Sequence, residues 1–174
     1  NSLFESLRPF NDLGFVPTMG GIHKGHLSLV YKSKKNCKKT IVSIFINPTQ
    51  FNNKVDFSKY PRNFNKDIKI LKNLKIDYLF MPNAKEIYKK KFKIMKLAKS
   101  DKILCAKFRK GHFEGVLNIM NRLINLIKSK KIFMGEKDFQ QLKIVEEFIY
   151  KKYKNKFIIN CKTIREKNGM AISS

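Results

Sequence analysis

The chain has 174 residues, of which 43% are hydrophobic and 29% charged, and its formal net charge is +25. This length is enough for one buried core but short for two ordinary domains, and the composition is globular rather than disordered. The apolar runs are far too short to span a membrane, and no basic segment followed by an apolar run opens the chain, so neither a membrane partner nor secretion is expected.

Short apolar runs that stop at turn residues predict strands, and apolar residues that recur every three or four positions predict helices. In chain order the predicted elements are a strand at 14–17, a helix over about 25–35, a strand at 40–46, a helix over roughly 63–74, a strand at 78–82, a helix containing 116–127, a strand at 132–134, a helix containing 142–149 and a strand at 157–161. Phe64, Ile68 and Leu71 form the expected buried face of the helix over 63–74. The lysine-rich stretch 89–110 has no clear pattern.

This alternation of strands and helices predicts a Rossmann-like α/β fold, an open and mostly parallel sheet with helices on both faces. Ligands of such folds gather beyond the carboxyl ends of the strands. The loops that follow Val16, Ile46 and Met134 meet at that edge, and all three carry polar residues that a core does not need. The sequence therefore predicts the functional site there.

The positive charge has two interpretations, which the sequence leaves open. Lysines are spread along the whole chain beside many Ile and Asn residues, a mixture that AT-rich codon usage produces by itself. The same charge could serve a polyanionic partner or speed the arrival of anionic substrates. The widely spaced Cys37, Cys105 and Cys161 favour mostly buried thiols in a reducing cytosol over a disulfide framework or a zinc site.

The clearest chemical signal is an H-x-G-H pattern at the predicted junction of strand and helix. His23 and His26 are three residues apart, so both imidazoles would project toward nearly one side of a helix start, with Gly25 leaving room for a base or a phosphate. The amide groups of a helix N-terminus favour an anion, and imidazoles can donate hydrogen bonds to phosphoryl oxygens. No third ligand with zinc-like spacing lies nearby, so no metal site is predicted. The alternative is a pair of ordinary surface histidines.

Five blocks, in order along nearly the whole chain, resemble the signature of the pantothenate synthetases (pantoate–β-alanine ligases), which belong to the nucleotidyltransferases with an H-x-G-H motif. The blocks cover 15–30, 42–51 with 56 and 60–62, 109–116, 133–142, and 163–166 with 169–174. Gly21 and Lys110 depart from the usual alanine and proline. The last block stops at Ser174, where the family continues with an arginine and a smaller C-terminal domain. Residues 1–174 are therefore expected to be the ATP- and pantoate-binding domain of a truncated chain that lacks its lid.

The resemblance implies that pantoate attacks the α-phosphate of Mg²⁺-bound ATP and that β-alanine then attacks the pantoyl-adenylate, in a cytoplasmic homodimer. It makes His26 the proton donor, places His23 on the same phosphates, and assigns pantoate to Gln50 and Gln141, with β-alanine also at Gln50. The implied ATP-site residues are Met19, Gly20, Gly21, Ile22, His23, Lys24, Gly25, His26, Gly135, Glu136, Lys137, Asp138, Ile164, Ile172, Ser173 and Ser174. Asn47, Arg109 and His112 are secondary candidates, and Gln140, beside Gln141, is the poorer ligand because helix neighbours face different ways.

Two other functions remain as alternatives. Another adenylyl-transferring enzyme of the same fold would share the H-x-G-H loop but would not explain the blocks around Gln50 and Gln141. A basic RNA-binding module would need aromatic residues interleaved with basic ones on an exposed face. Phe92 and Phe108 lie in the lysine-rich stretch, yet their spacing has no RNA-binding signature, so nucleic acid is not expected as a partner.

Overall fold

A computed structural model describes residues 12–88 and 95–173, with no account of the Lys54 side chain. Strands and helices alternate along this part of the chain. The strands are β1 (Leu13–Thr18), β2 (Lys39–Ile44), β3 (Tyr78–Phe80), β4 (Lys131–Gly135) and β5 (Phe157–Cys161). The α-helices are α1 (Lys24–Asn36), α2 (Lys54–Lys59), α3 (Phe64–Asn73), α4 (Ala84–Tyr88), α5 (Cys105–Phe108), α6 (His112–Ile127) and α7 (Phe139–Lys152). Short 3₁₀ turns cover Pro48–Gln50, Lys99–Asp101 and Glu136–Asp138.

The strands form one sheet in the order β3-β2-β1-β4-β5, and every neighbouring pair is parallel. The chain first builds outward from β1 to β3 and then returns to the other side of β1 to build β4 and β5. The direction of winding therefore reverses between β1 and β4, and the carboxyl ends of these two strands leave a crevice between their loops. The predicted doubly wound α/β fold is confirmed.

Successive residues of the strands point to opposite faces of the sheet, and each face has its own apolar cluster. Val16 packs on one face with Val30 of α1 and Leu71 of α3. Its neighbour Phe15 packs on the other face with Ile124 of α6, in a cluster that also includes α7. Because both faces are covered, the central strands are apolar almost throughout, as the sequence predicts.

The structure departs from the prediction mainly at short elements. The second strand ends at Ile44 rather than at 46. Helices α2 and α4 were not predicted, and in the stretch 89–110 the structure describes one 3₁₀ turn and the short α5, while 89–94 lie outside the described residues. A helix of four to six residues is too short to display a periodic apolar face.

One side chain is placed against expectation. Phe64 is 37% exposed rather than buried, because it stands at the first residue of α3, and the charged Asp67 is buried on that helix. Cys37 and Cys161 are buried, whereas Cys105 is exposed. Among the described residues, no helix combines the length and apolar character needed to cross a bilayer.

Candidate active site

A cavity of about 390 Å³ lies at the carboxyl ends of the strands, over the crevice between β1 and β4. The loops after β1, β2, β4 and β5 all contribute to its walls, as the predicted location requires. The predicted site residues that line it are Met19, His23, Gly25, His26, Gln50, Gly135, Lys137, Asp138, Gln141, Ile164, Ile172 and Ser173. The secondary candidates Arg109 and His112 line it as well. Ser174 lies outside the described residues.

The two histidines of the H-x-G-H pattern are held by backbone hydrogen bonds at the start of α1. The Gly25 N–H donates to His23 Nδ1 at 3.1 Å, and the His23 N–H donates to His26 Nδ1 at 3.4 Å, so each side chain caps the helix. The ring centroids are 4.1 Å apart. Since each Nδ1 accepts a hydrogen bond, each neutral ring carries its proton on Nε2.

Burial keeps both rings neutral. It is the main cause that lowers the pKa of His26 to about 4, with the neighbouring His23 and Lys137 acting in the same direction. Burial and then Lys137 also lower the pKa of His23. At neutral pH the pair therefore consists of imidazoles whose Nε2–H groups can donate to an oxyanion.

The loop between β1 and α1 is tied to α3 by the buried Asp67, a residue that the sequence analysis did not single out. Asp67 Oδ2 accepts from the Gly21 N–H at 2.9 Å, and Oδ1 accepts from the Ile22 N–H at 2.8 Å. Gly20 makes room for this contact, because its φ is +88° and an added Cβ would lie 3.0 Å from Asp67 Oδ2. These two amides thus bind a carboxylate of the protein instead of a phosphate.

Only part of the predicted nucleotide-binding run 19–26 lines the cavity. Gly20, Gly21, Ile22 and Lys24 are not among the residues that line the cavity, and Ile22 belongs to the buried core. The space beside Gly25 is occupied by the His23 ring, since an added Cβ would lie 2.8 Å from His23 Cε1. Gly25 itself lines the cavity, so its approach to a base or a phosphate stays a prediction.

Gln50 is 7% exposed and is held from several sides. Its Oε1 accepts from Asn47 Nδ2 at 3.2 Å, and its Nε2 donates to the Met19 thioether. Its backbone carbonyl accepts from His112 Nδ1 at 2.6 Å. An added Cβ at Gly115 would lie 2.4 Å from the Thr49 carbonyl oxygen, so only glycine lets α6 approach this turn. The amide of Gln50 is therefore fixed at the wall of the cavity.

Asn47 is a supporting residue rather than a cavity-lining one. It is 1% exposed, and its Nδ2 also donates to the Gly115 carbonyl at 3.1 Å. Its Oδ1 accepts from the hydroxyl groups of Thr49 at 3.0 Å and Tyr88 at 2.5 Å. These bonds join the turn after β2 to α4 and α6. Asn47 therefore orients Gln50 without lining the cavity itself.

The turn after β4 forms the opposite wall. Lys137 and Asp138 line the cavity and pair with each other at 3.4 Å, with side chains 35% and 63% exposed. Glu136, predicted beside them, does not line the cavity. On α7, Gln141 lines the cavity, whereas Gln140 turns away and donates to the Ile103 carbonyl at 2.7 Å.

The apolar floor of the cavity was not predicted from the sequence. One face of α6 supplies this floor through Val116, Ile119, Met120 and Leu123. The periodicity of α6 was visible in the sequence, but it signals only a buried face and cannot distinguish a core from a ligand pocket. Lys162 and Thr163 after β5 also line the cavity without having been predicted.

Comparisons with known proteins place this geometry in one family. The model of the family described as pantoate-beta-alanine ligase matches residues 2–174. The chain is 40% identical over 171 residues to a pantothenate synthetase of Pseudothermotoga lettingae, covering 98% of this chain and 61% of that protein. It is also 45% identical over 163 residues to a pantothenate synthetase of Campylobacter hominis, covering 93% of this chain and 60% of that protein. The chain thus spans about three fifths of the length of these relatives.

Solved structures give the same result. The fold is similar to pantoate-beta-alanine ligase from Francisella tularensis in complex with beta-gamma ATP and beta-alanine, with a TM-score of 0.92 and 40% identity over 98% of this chain and 67% of that one. It is also similar to pantothenate synthetase from Thermus thermophilus, with a TM-score of 0.91 and 32% identity over 99% of this chain and 64% of that one.

Proposed function

Because the chain belongs to the pantoate–β-alanine ligase family, we propose that it forms the ATP- and pantoate-binding domain of an enzyme that condenses pantoate with β-alanine through a pantoyl-adenylate. The supporting observation is one cavity that brings His23 and His26 together with Lys137, Gln50 and Gln141. Residues that can bind a triphosphate thus face residues that can present a hydroxy acid.

The first half-reaction places pantoate against the α-phosphate of ATP. The amides of Gln50 and Gln141 both donate and accept, so they suit the hydroxyl and carboxylate groups of pantoate. Being neutral, they leave the carboxylate less stabilised than an arginine would and therefore more nucleophilic. The apolar floor on α6 suits the two methyl groups of pantoate. A carboxylate oxygen then attacks the α-phosphorus, and pyrophosphate leaves in line.

The two imidazoles and Lys137 act on the phosphate charge in this step. The Nε2–H groups of His23 and His26 donate to phosphoryl oxygens whose negative charge grows in the transition state. The triphosphate in turn favours a protonated ring, which lets His26 serve as the proton donor. Lys137 neutralises phosphate charge, and Asp138 accepts from the ribose hydroxyls.

We propose further that ATP enters as its Mg²⁺ complex, held mainly by the triphosphate and by water. Among the described residues, no group of three His, Cys, Asp or Glu side chains is placed to hold a metal ion. In the second half-reaction β-alanine attacks the pantoyl carbonyl and releases AMP. A cytoplasmic homodimer is part of the same proposal and follows from the family resemblance alone.

Pantoate-dependent exchange between ATP and pyrophosphate tests the proposal in the full-length protein. Exchange should require pantoate and should not require β-alanine, because the adenylate forms before the amine reacts. AMP should accumulate beyond one turnover only when β-alanine is added. Exchange that proceeds equally well without pantoate, or with an amino acid in its place, would assign the site to another adenylyl-transferring reaction.

A further inference from the structure

His112 is the remaining histidine of the chain, and the roles given above to the cavity do not use it. It stands at the first residue of α6 and is 5% exposed. Two cavities share it: the one described above and a more open groove of about 600 Å³ beside it. Gln50, Met19, Tyr60 and Arg109 also line both. His112 therefore lies where a second substrate from the groove would meet the pantoate site.

The hydrogen bonding of His112 is the reverse of that of His23 and His26. Its Nδ1 lies 2.6 Å from the Gln50 carbonyl oxygen, which can only accept, so Nδ1 carries the proton. The neutral ring consequently has its lone pair on Nε2, and within the described part of the chain the hydrogen bond of this ring is made through Nδ1, which leaves Nε2 available as an acceptor. Two histidines of this site can thus donate through Nε2, whereas the third can accept through it.

The groove beyond His112 has the charges that a small zwitterion needs. Lys59 and Arg109 line it together with Asp56. A carboxylate can bind to the cations while an ammonium group reaches toward His112 and Gln50. β-Alanine has these two groups separated by two methylene carbons.

We propose that His112 is a catalytic residue of the second half-reaction, accepting a proton through Nε2 from the ammonium group of β-alanine. This inference rests on the proposed function. An ammonium nitrogen has no lone pair, so it must lose one proton before it can attack. The proton passes to His112, the freed amine forms a C–N bond with the pantoyl carbonyl carbon, and the C–O bond to the phosphate breaks. The second nitrogen proton leaves with AMP, and His112 later returns its proton to solvent.

The electrostatic surroundings of His112 suit an acceptor that is neutral at neutral pH. Burial is the main cause that lowers its pKa, and Arg109 acts in the same direction. The hydrogen bond to the Gln50 carbonyl and the charges of Asp138 and Glu114 oppose this shift. From the groove, Lys59 and Asp56 contribute charges of opposite sign.

A His112→Asn substitution separates the proposed role from a structural one, because the Asn amide can replace the Nδ1–H donor to Gln50 but offers no base in the place of Nε2. Single-turnover transfer of preformed pantoyl-adenylate to β-alanine should fall about 100-fold relative to pantoate-dependent exchange. Transfer to hydroxylamine, which is unprotonated at neutral pH, should fall much less. With β-alanine the rate in the variant should keep rising with pH as free amine accumulates, whereas the wild-type rate should level off.

Each result has a distinct meaning. A wild-type rate and pH profile for β-alanine in His112→Asn would overturn the role of His112 while leaving the proposed function in place. Equal losses with β-alanine and hydroxylamine would also overturn it, because His112 would then only position the pantoyl group. Absence of pantoate-dependent exchange in the wild-type protein would instead remove the proposed function itself. His112→Gln, which loses the donor to Gln50, serves as the comparison for structural damage.

Discussion

The two walls of the cavity are built differently. The loops after β1 and β2, here called the braced wall (residues 19–26 and 47–51), are held by the buried side chains Asp67 and His112 from other elements and by the buried Asn47 within the second loop. The turn after β4, the open wall (residues 135–138), has one ion pair between exposed neighbours, and an added Cβ at Gly135 would meet nothing within 4 Å. The groups proposed to act on reacting atoms are thus fixed in advance, whereas those proposed to bind the nucleotide can adjust.

Changes in the braced wall should alter both stability and chemistry, whereas changes in the open wall should alter nucleotide binding alone. The largest expected effect is at His26. His26→Asn keeps an acceptor for the His23 N–H but removes the Nε2–H donor, so pantoate-dependent exchange should fall about 10²- to 10³-fold with little loss of stability. His26→Ala removes both functions and should also lower the unfolding free energy. Exchange within threefold of wild type in His26→Asn would remove His26 from the site.

Asp67→Asn tests the brace itself. One amide oxygen replaces the two carboxylate oxygens that accept from the Gly21 and Ile22 amides, and the new NH₂ group faces an N–H donor. Leaving a buried donor unsatisfied while losing two charge-assisted bonds should lower the unfolding free energy by about 3 kcal/mol. Urea unfolding of the full-length protein measures this, and a loss below about 1 kcal/mol would mean that Asp67 does not hold the loop.

A matched pair of glycine substitutions contrasts the two walls directly. Gly115→Ala would place Cβ 2.4 Å from the Thr49 carbonyl oxygen, which should cost about 2 kcal/mol of stability and raise the KM for pantoate by displacing Gln50. Gly135→Ala meets open space at an ordinary φ of −83° and should leave the melting temperature unchanged. Equal melting temperatures for the two variants would contradict the distinction between the walls.

Lys137→Met carries the smallest expected effect. Its side chain is 35% exposed and its partner is the neighbouring Asp138, so removal of the charge should not destabilise the fold. The KM for ATP should rise about tenfold through the lost phosphate contact, with the KM for pantoate nearly unchanged. A comparable rise in both constants would mean that Lys137 also contacts the acid. Lys143→Met, on the exposed side of α7, is the control for a general loss of positive charge.

The sequence could predict the order of strands and helices because each long element has an apolar pattern set by its own period. It could place the H-x-G-H pair because two histidines around a glycine at a strand end are unusual in themselves. The short helices α2 and α4 leave a weaker trace, the capping residues Asn53 and Asn83, whose side chains accept from amides three residues later. Such caps are easily overlooked in a chain so rich in asparagine.

Asp67 and Asn47 were harder to assign because their partners are distant in sequence. Asp67 contacts Ile22 across 45 positions, and Asn47 contacts Gly115 across 68. An acid on the apolar side of a helix pattern, between Phe64 and Leu71, was the visible signal for Asp67, but only the fold shows that it is buried and identifies the amides that it binds. The direction of the His112 hydrogen bond likewise depends on the carbonyl of Gln50, 62 positions away.

Nitrogen NMR of the histidine rings in the full-length, substrate-free protein tests most directly whether the braced wall fixes these side chains before substrate binds. At neutral pH we expect all three rings to be neutral, with the single N–H of His23 and of His26 on Nε2 and that of His112 on Nδ1. On acidification His26 should stay neutral until the pH approaches its lowered pKa of about 4. Rapid exchange between tautomers at all three positions, or a His26 ring that protonates near its ordinary pKa, would contradict this expectation.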